Sequence, residues 1–593
     1  MKSLSSLAVS IALVILFMVY RAVGTPPGGP LDKLVQLALL VPAALFAGIF
    51  AAGRLQRDLA SELLRLLSGI PRGRFLGAVL LLLAVFAVWM AYGPFQGIPK
   101  GGDEAAYYFQ SRIYAAGELA APEPAVDAPM AHFPFRHFIF DRGRWFIVYT
   151  PFHSLLMAPF SAAGAAPLLG PLEGLLSLLG IYLLIRLWAG EALARVCVLL
   201  LILSPFFLFM TTTFMAHNTN LMLVTWSLYL LSRRVKGGGV GFSLAGGFLI
   251  GLAFATKPYP VLVWLAFIPL AVFAGCGRRW FSVILPAAAA AAVPFALFLA
   301  ANTYYTGSPF KAGYDMVRGG KLIGFGPDKA WFPEYGDYAH TPLRGLINLA
   351  RQAGVGSTIL FGWPFLSLAP MLLALGRARR DRRVLWLYLP VGLLMVLMWL
   401  HYCPAIDYGP RHYFTLMPII MLLSALGLGE AVRMAGNWKG TWGSNLATVS
   451  ILGLFMITLF VYIPDGIALR SGPWQTIDRR PEEMASGFVE TPAVVFMQAG
   501  QHGYPNICSG LNFTSPFLDG PVIYCAHQTT EEDAAFMEAF PDRKPYLYWF
   551  DGVDFHLEEW TPALSGAVEP TRSMEYHTYL HMPDPAGPTS EGY

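Results

Sequence analysis

The sequence predicts a polytopic α-helical membrane protein that carries a small outer α/β domain near its C-terminus. Three observations predict it. Of 593 residues, 55% are hydrophobic and only 13% charged, with a mean hydropathy of +0.52, well outside soluble composition. Apolar runs recur from residue 5 to residue 463, about thirteen of them. Arginines gather in every second connection between those runs. The net charge of +4 is small and sits in short loops, which reads as membrane topology and not as nucleic-acid binding.

In chain order the runs cover residues 5–20, 34–53, 75–92, 166–187, 192–210, 215–231, 242–255, 258–275, 281–301, 357–375, 384–400, 413–432 and 446–463. Several are short enough to need tilt or burial within protein. Residues 7–20 lack a small-residue cleavage site and read as a first anchor rather than a signal peptide. Six connections are basic: Arg54/Arg57/Arg65/Arg72/Arg74, Arg186/Arg195, Arg233/Arg234/Lys236, Arg278/Arg279, the arginines of 377–383, and Arg433/Lys439. The positive-inside rule makes them cytoplasmic. The N-terminus is then inside, and residues 94–165, residues 302–356 and the tail from Pro464 lie outside. Residues 1–74 form two added spans and a loop, 75–465 the main membrane module, and 466–593 an outer domain and tail.

The first outer segment opens with Gly101-Gly102-Asp103-Glu104, two adjacent carboxylates where a span surfaces into water. As a helix, this stretch sets Asp103, Tyr107, Gln110 and Tyr114 on one face. Ala105, Tyr108, Phe109, Arg112, Ile113 and Ala116 form an oily face suited to the membrane interface. A simpler reading has Asp103 as the helix N-cap. Residues 137–148 read as a hairpin turning at Asp141-Arg142-Gly143. Residues 149–159 form a second interfacial helix, too short and proline-bounded to span.

Further charged residues fall at outer helix ends: His217, Lys257 between two apolar runs, and Asp407, Arg411 and His412 in one cluster. Ionisable groups at a membrane boundary are costly and invite a functional reading. Each also has a structural one: Lys257 could snorkel, His217 could be a hydrogen-bonded helix end, and Arg411 could pair with Asp407.

Taken together, Asp103-Glu104-x-x-Tyr107, Tyr149-x-Pro151-x-x-Ser154-Leu155-Leu156-x-Ala158-Pro159, Thr256-Lys257-Pro258, Asn302-Thr303-Tyr304-Tyr305-Thr306-Gly307-Ser308-Pro309 with Gly313-Tyr314, and Gly409-Pro410-Arg411-His412-Tyr413 resemble the GT-C glycosyltransferases. The likeness covers about residues 75–465 and is greatest to the protein O-mannosyltransferase and aminoarabinose-transferase type. It rests on motif order and sidedness. The resemblance implies inverting sugar transfer on the outer face from a polyprenyl-phosphate donor to an acceptor hydroxyl on a glycan, lipid or protein. By position Asp103 is then the general base with Glu104 its neighbour. Lys257, Arg411 and His412 would hold the donor phosphate, while Tyr107, His217 and Asp407 line the substrate cavity. No cofactor is certain; a divalent cation could share the phosphate's charge, but no dedicated ligand cluster stands out. The implied location is a bacterial inner membrane. The alternative from another class is a membrane transporter or lipid-linked sugar flippase; its charged residues would be expected near the midplane on helices broken in matching repeats. A scaffold without catalysis is a third reading.

The tail alternates strands and helix: 494–497, 521–525, a helix over 530–540, and 545–550, with Thr530 and Asp533 at capping-box spacing. A small α/β domain over about 470–560 follows, then a Pro/Gly-rich tail of low order. It would brace the outer loops or bind acceptor. Five cysteines fit no zinc spacing. Cys508 and Cys525 fall outside, where an oxidising compartment would allow a disulfide between them if their Cβ atoms face.

Overall fold

The structure is a computed structural model that describes residues 2–22, 29–126, 129–318, 323–326, 339–406, 408–471, 477–499 and 506–571. Seven stretches within it are long and apolar enough to cross a membrane: Leu4–Ala22, Pro30–Ala52, Arg72–Tyr92, Ala166–Ala189, Pro258–Thr306, Arg383–Leu400 and Arg411–Ser471. Val240–Thr256 and Ala369–Ala378 are shorter apolar helices. The fold is therefore that of a polytopic helical membrane protein with a small C-terminal sheet domain.

Helices α1 (Lys2–Ala22) and α2 (Pro30–Ala52) pack on each other, and α2 lies against the distal half of α19 (Met417–Ile457). Small residues permit that approach: a Cβ on Gly453 would meet Ala44 at 2.8 Å. An amphipathic helix α3 (Leu59–Gly69) leads to α4 (Arg72–Tyr92), which rises to the outer segment. After that segment come α8 (Leu169–Ala189), α9 (Glu191–Ile202), α10 (Pro205–Met210), α11 (Ala216–Val235), α12 (Val240–Thr256), α13 (Pro258–Cys276) and α14 (Phe281–Thr306). α16 (Pro342–Ile359), α17 (Ala369–Ala378) and α18 (Arg383–Leu400) precede α19, and α20 (Ile463–Ser471) follows it.

Two expected spans are interrupted. The run 192–210 divides at Ser204, whose hydroxyl caps α10 at the Phe207 N–H, and Pro205 opens the new helix. The run 357–375 breaks between α16 and α17. There Gly362 takes φ +69° and Pro364 removes a donor. Ser367 Oγ accepts the freed N–H groups of Phe361 and Trp363 and donates to the Thr358 carbonyl. The long helix α19 likewise changes direction at Lys439–Gly440, within one of the basic connections.

The outer segment holds α5 (Gly102–Ala115), β1 (Ala121–Pro122), α6 (Pro129–His132), β2 (Phe138–Asp141), β3 (Arg144–Ile147) and α7 (Phe152–Ala162), and α15 (Gly313–Arg318) lies beyond α14. The expected hairpin is present, its two-residue turn formed by Arg142 at φ +54° and Gly143 at φ +72°. The expected interfacial placement of α5 is not. Ala105, Phe109 and Ile113, assigned to an oily membrane face, are buried inside the protein, as are Glu104, Ala106, Tyr107 and Gln110 on the other sides. The rings that suggested a lipid contact pack against protein instead: Phe109 on Phe138 and Trp145 of the hairpin, Tyr108 on Phe214 ahead of α11.

That domain carries β4 (Ala493–Met497), β5 (Val522–Ala526), β6 (Lys544–Phe550) and β7 (Phe555–Glu559) in the order β5-β4-β6-β7, the first three parallel and β7 antiparallel. α21 (Arg480–Phe488) precedes β4, α22 (Cys508–Leu511) and α23 (Thr530–Glu538) connect the parallel strands, and α24 (Pro562–Ala567) follows. β4 is buried along its whole length, as a central parallel strand requires. The capping box is one residue earlier than expected, at Thr529 and Glu532, because Asp533 is turned inward to accept from His527 Nδ1 (2.6 Å) and the Gln528 N–H (2.9 Å). Cys508 and Cys525 are both buried free thiols, so the disulfide does not form. One hydrophobic core runs through this domain and the outer segment together, joining Phe109, Phe133 and Trp145 to Val494, Phe496 and Leu547.

Candidate functional site

Helix α5 begins from Gly101, which is extended and offers no side chain as a cap. Asp103 is thus inside the first turn and is not the N-cap. Glycine at 102 permits a close approach: a Cβ there would come within 3.3 Å of His137 Nε2. Asp103 Oδ1 consequently stands 3.5 Å from His137 Nε2, while Oδ2 stands 3.4 Å from Arg411 Nη2. The Tyr149 hydroxyl lies alongside, and the Lys257 ammonium adds attraction. Burial pushes the Asp103 carboxyl up. Arg411, His137, Lys257 and Tyr149 outweigh burial and hold it well below the usual carboxylate range. Asp103 is a carboxylate whose charge is kept by its neighbours.

The two cations reach it from separate elements. Arg411 opens a short helical turn over Arg411–Leu416, entered through Gly409 at φ +92°. A Cβ on Gly409 would meet the Phe206 ring at 3.0 Å, so only glycine seats this loop against α10. Lys257 occupies the break between α12 and α13, in a non-helical conformation. Thr150 Oγ1 donates to the Thr256 carbonyl (2.6 Å) and ties the approach to α7 to that break. Among the described residues Lys257 has no ion-pair partner within 4 Å.

Glu104 faces elsewhere. Fully buried, it accepts the Phe214 N–H at 2.9 Å and the Tyr408 hydroxyl at 2.5 Å. Burial pushes it up to about 7 against those two donors. It fastens α5 to the turn before α11 and to the chain leading to Arg411. Tyr107 lies beneath Asp103, its ring 4.6 Å from Tyr149 and 4.8 Å from His153. His217 is buried with neither ring nitrogen partnered among the described residues, and its ring meets His412 edge-on at 5.5 Å. His412 also contacts His401 at 5.3 Å and Tyr259 at 5.9 Å. Asp407 lies outside the described residues. The remaining seven residues singled out from the sequence converge on one region at the outer-segment end of the helices, opposite the basic connections.

Sequence reasoning gave no site role to four members of this region, Tyr149 among them although it opens one of the family-like motifs, nor to the group beneath it. His137 and Tyr149 flank the hairpin, and nothing short of the fold brings them to Asp103. Tyr408 reaches Glu104 across 304 positions. His153 Nε2 meets the Phe214 carbonyl (2.9 Å) and Nδ1 meets Thr219 Oγ1 (2.7 Å), which in turn bonds Glu173. Glu173 had a signal: an acid within an apolar run.

The C-terminal domain holds α5 from behind. Arg112 donates to the carbonyls of Leu511 (3.1 Å) and Asn512 (3.2 Å) and stacks on Tyr108. Asn512 Nδ2 donates to Pro99, Lys100 Nζ to Ile477, and Gln528 Nε2 to Ala131. Among the described residues no three His, Cys, Asp or Glu side chains gather to hold a metal ion.

Comparison with known proteins gives the following. Residues 160–304 match the family described as dolichyl-phosphate-mannose-protein mannosyltransferase. That segment carries α8 to α14, including His217 and Lys257, and supports the GT-C resemblance drawn from the sequence. No curated protein matches the chain significantly. The chain is similar to the crystal structure of ArnT from Cupriavidus metallidurans bound to undecaprenyl phosphate, at 13% identity and TM-score 0.47, over 79% of this chain and 92% of that one. It is also similar to the archaeal oligosaccharyltransferase AglB from Archaeoglobus fulgidus in complex with an inhibitory peptide and a dolichol-phosphate, at 14% identity and TM-score 0.43, over 80% and 69%.

Proposed function

We propose, starting from the mannosyltransferase-family match of residues 160–304 and the charges around Asp103, that this protein is a GT-C glycosyltransferase. It moves a sugar from a polyprenyl-phosphate donor to a hydroxyl of a glycan, lipid or protein on the outer face of the membrane. The observation that carries the reading is one ionised carboxylate, Asp103, facing Arg411 at 3.4 Å with Lys257 close by, where helices meet the outer segment.

Each group then has a task. As the acceptor oxygen attacks the anomeric carbon, its proton passes to Asp103. The bond from that carbon to the phosphate oxygen breaks, and the polyprenyl phosphate leaves as an anion. A phosphate leaves without a general acid, so one base suffices and the anomeric configuration inverts. Lys257 and Arg411 meet the developing negative charge in a site shielded from water, where fixed cations act most strongly. His412 and His217 line the donor side, and the unpartnered nitrogens of His217 suit hydroxyl or phosphate oxygens. Tyr107 floors the acceptor side. Glu104 positions α5 and does not touch substrate. A lipid-borne donor accounts for cations set at membrane level. The crowding of charge at one end of the helices favours transfer over transport, whose sites sit near the midplane.

The test is transfer by purified protein from a panel of polyprenyl-phosphate sugars, with the product's anomeric configuration read by NMR. Inverted product, lost in Asp103→Asn, is expected. Retention of configuration, or movement of the lipid across vesicles without transfer, would overturn the reading.

A further inference from the structure

Arg411 is asked to meet two anions. It stands 3.4 Å from Asp103 Oδ2, and on the reading above it also receives the donor phosphate. Its backbone is fixed by the Gly409 turn wedged on Phe206, so only the guanidinium can redistribute between them. Asp103 has few other supports. His137 faces its second oxygen, Lys257 and Tyr149 act from the side, Tyr107 lies below, and Glu104 points to Phe214 and Tyr408. A carboxylate paired with a guanidinium is a weak base; one whose partner is claimed by another anion is a stronger base.

We propose that Arg411 is shared between Asp103 and the donor phosphate, so that the phosphate's arrival releases Asp103 to act as base and makes the reaction donor-first. The inference rests on the phosphate role given to Arg411. It explains how a carboxylate held in its charged form can take a hydroxyl proton: its basicity rises only when the donor is seated. The acceptor's oxygen is activated only beside a loaded anomeric carbon.

Binding linkage is reciprocal: if phosphate makes Asp103 easier to protonate, removing the charge of Asp103 must tighten phosphate by the same factor. The experiment measures binding of undecaprenyl phosphate in detergent micelles by phosphorus NMR for wild type, Asp103→Asn, Arg411→Gln and the double variant. Asp103→Asn is expected to bind about tenfold tighter than wild type, within the usual span of site–site coupling. In the Arg411→Gln background the same change should gain less than about threefold, since the shared guanidinium is gone. Equal affinity of wild type and Asp103→Asn would overturn the proposal. So would an undiminished gain without Arg411, which would mean direct repulsion between carboxylate and phosphate. Loss of binding in Arg411→Gln with no gain in Asp103→Asn sinks the sharing but leaves the phosphate role. Wild-type affinity in Arg411→Gln sinks both. If Arg411→Gln does not fold, infrared difference spectra of the wild type decide: undecaprenyl phosphate must shift a carboxylate band that Asp103→Asn lacks.

Discussion

Asp103 and Glu104 are neighbours in the chain with opposite surroundings: Asp103 faces Arg411 and His137, while Glu104 turns into the core to accept from Phe214 and Tyr408. A helix of 3.6 residues per turn separates successive side chains by about 100°, so the two cannot serve one acceptor hydroxyl.

Their variants should therefore part. Asp103→Asn keeps the shape and removes only the proton acceptor, and transfer should fall by about a hundredfold to ten-thousandfold with thermal stability unchanged. Glu104→Gln keeps one oxygen to accept from the Phe214 N–H, and its amide N–H can donate to the Tyr408 hydroxyl oxygen, so transfer should stay within a few-fold of wild type. A dead Glu104→Gln beside an active Asp103→Asn would exchange their roles.

The pH dependence of stability should report Glu104. Its folded value is raised to about 7 from 4.5, so the folded protein binds the proton more tightly than the unfolded chain. Its contribution is complete below 4.5 and is lost as pH rises toward about 7. Thermal unfolding should show a falling midpoint over that window, flattened in Glu104→Gln. An unchanged slope in the variant would show that Glu104 does not titrate there.

Lys257 has a specific expectation because no carboxylate pairs with it among the described residues. Lys257→Met should weaken donor binding or turnover by about tenfold or more, the size of one charge-assisted contact, with the fold intact. A variant that turned over like wild type would mean that the ammonium only snorkels to water.

The buried chain below the site fixes its own protons. The Phe214 carbonyl can only accept, so His153 Nε2 carries a hydrogen. Burial pushes His153 down to about 4, so the ring is neutral and Nδ1 accepts from Thr219. Thr219 then has its oxygen left to accept, and Glu173 must be the protonated donor. Glu173→Gln should fold and unfold like wild type, since the amide also donates. Glu173→Leu should destabilise by about 1–3 kcal/mol by orphaning the chain. Equal stability losses in calorimetry would point instead to an ionised Glu173.

The topology prediction is a C-terminal domain outside and an N-terminus in the cytoplasm. Reporters fused after residue 562 should be active only on the outer side. Cytoplasmic activity would invert the sidedness of every residue in the site.

Sequence alone determined the membrane class, the hairpin turning at Asp141-Arg142-Gly143 and the α/β character of the C-terminal domain, and it singled out Asp103, Lys257, Arg411 and His412 as candidates. Each follows from local physics: apolar length, turn residues that tolerate positive φ, buried strand runs, and charges too costly at a membrane boundary to be idle. Only the tertiary structure decided which partner each group meets. The rings of α5 promised lipid and found Phe138, Trp145 and Phe214 inside the protein, because burial rewards any apolar partner and periodicity cannot name it. Asp103 met His137 and Arg411 while adjacent Glu104 met Tyr408, pairings across 34 and more than 300 positions that depend on how three separate segments pack. A sequence fixes which groups must be satisfied; the packed chain fixes by whom.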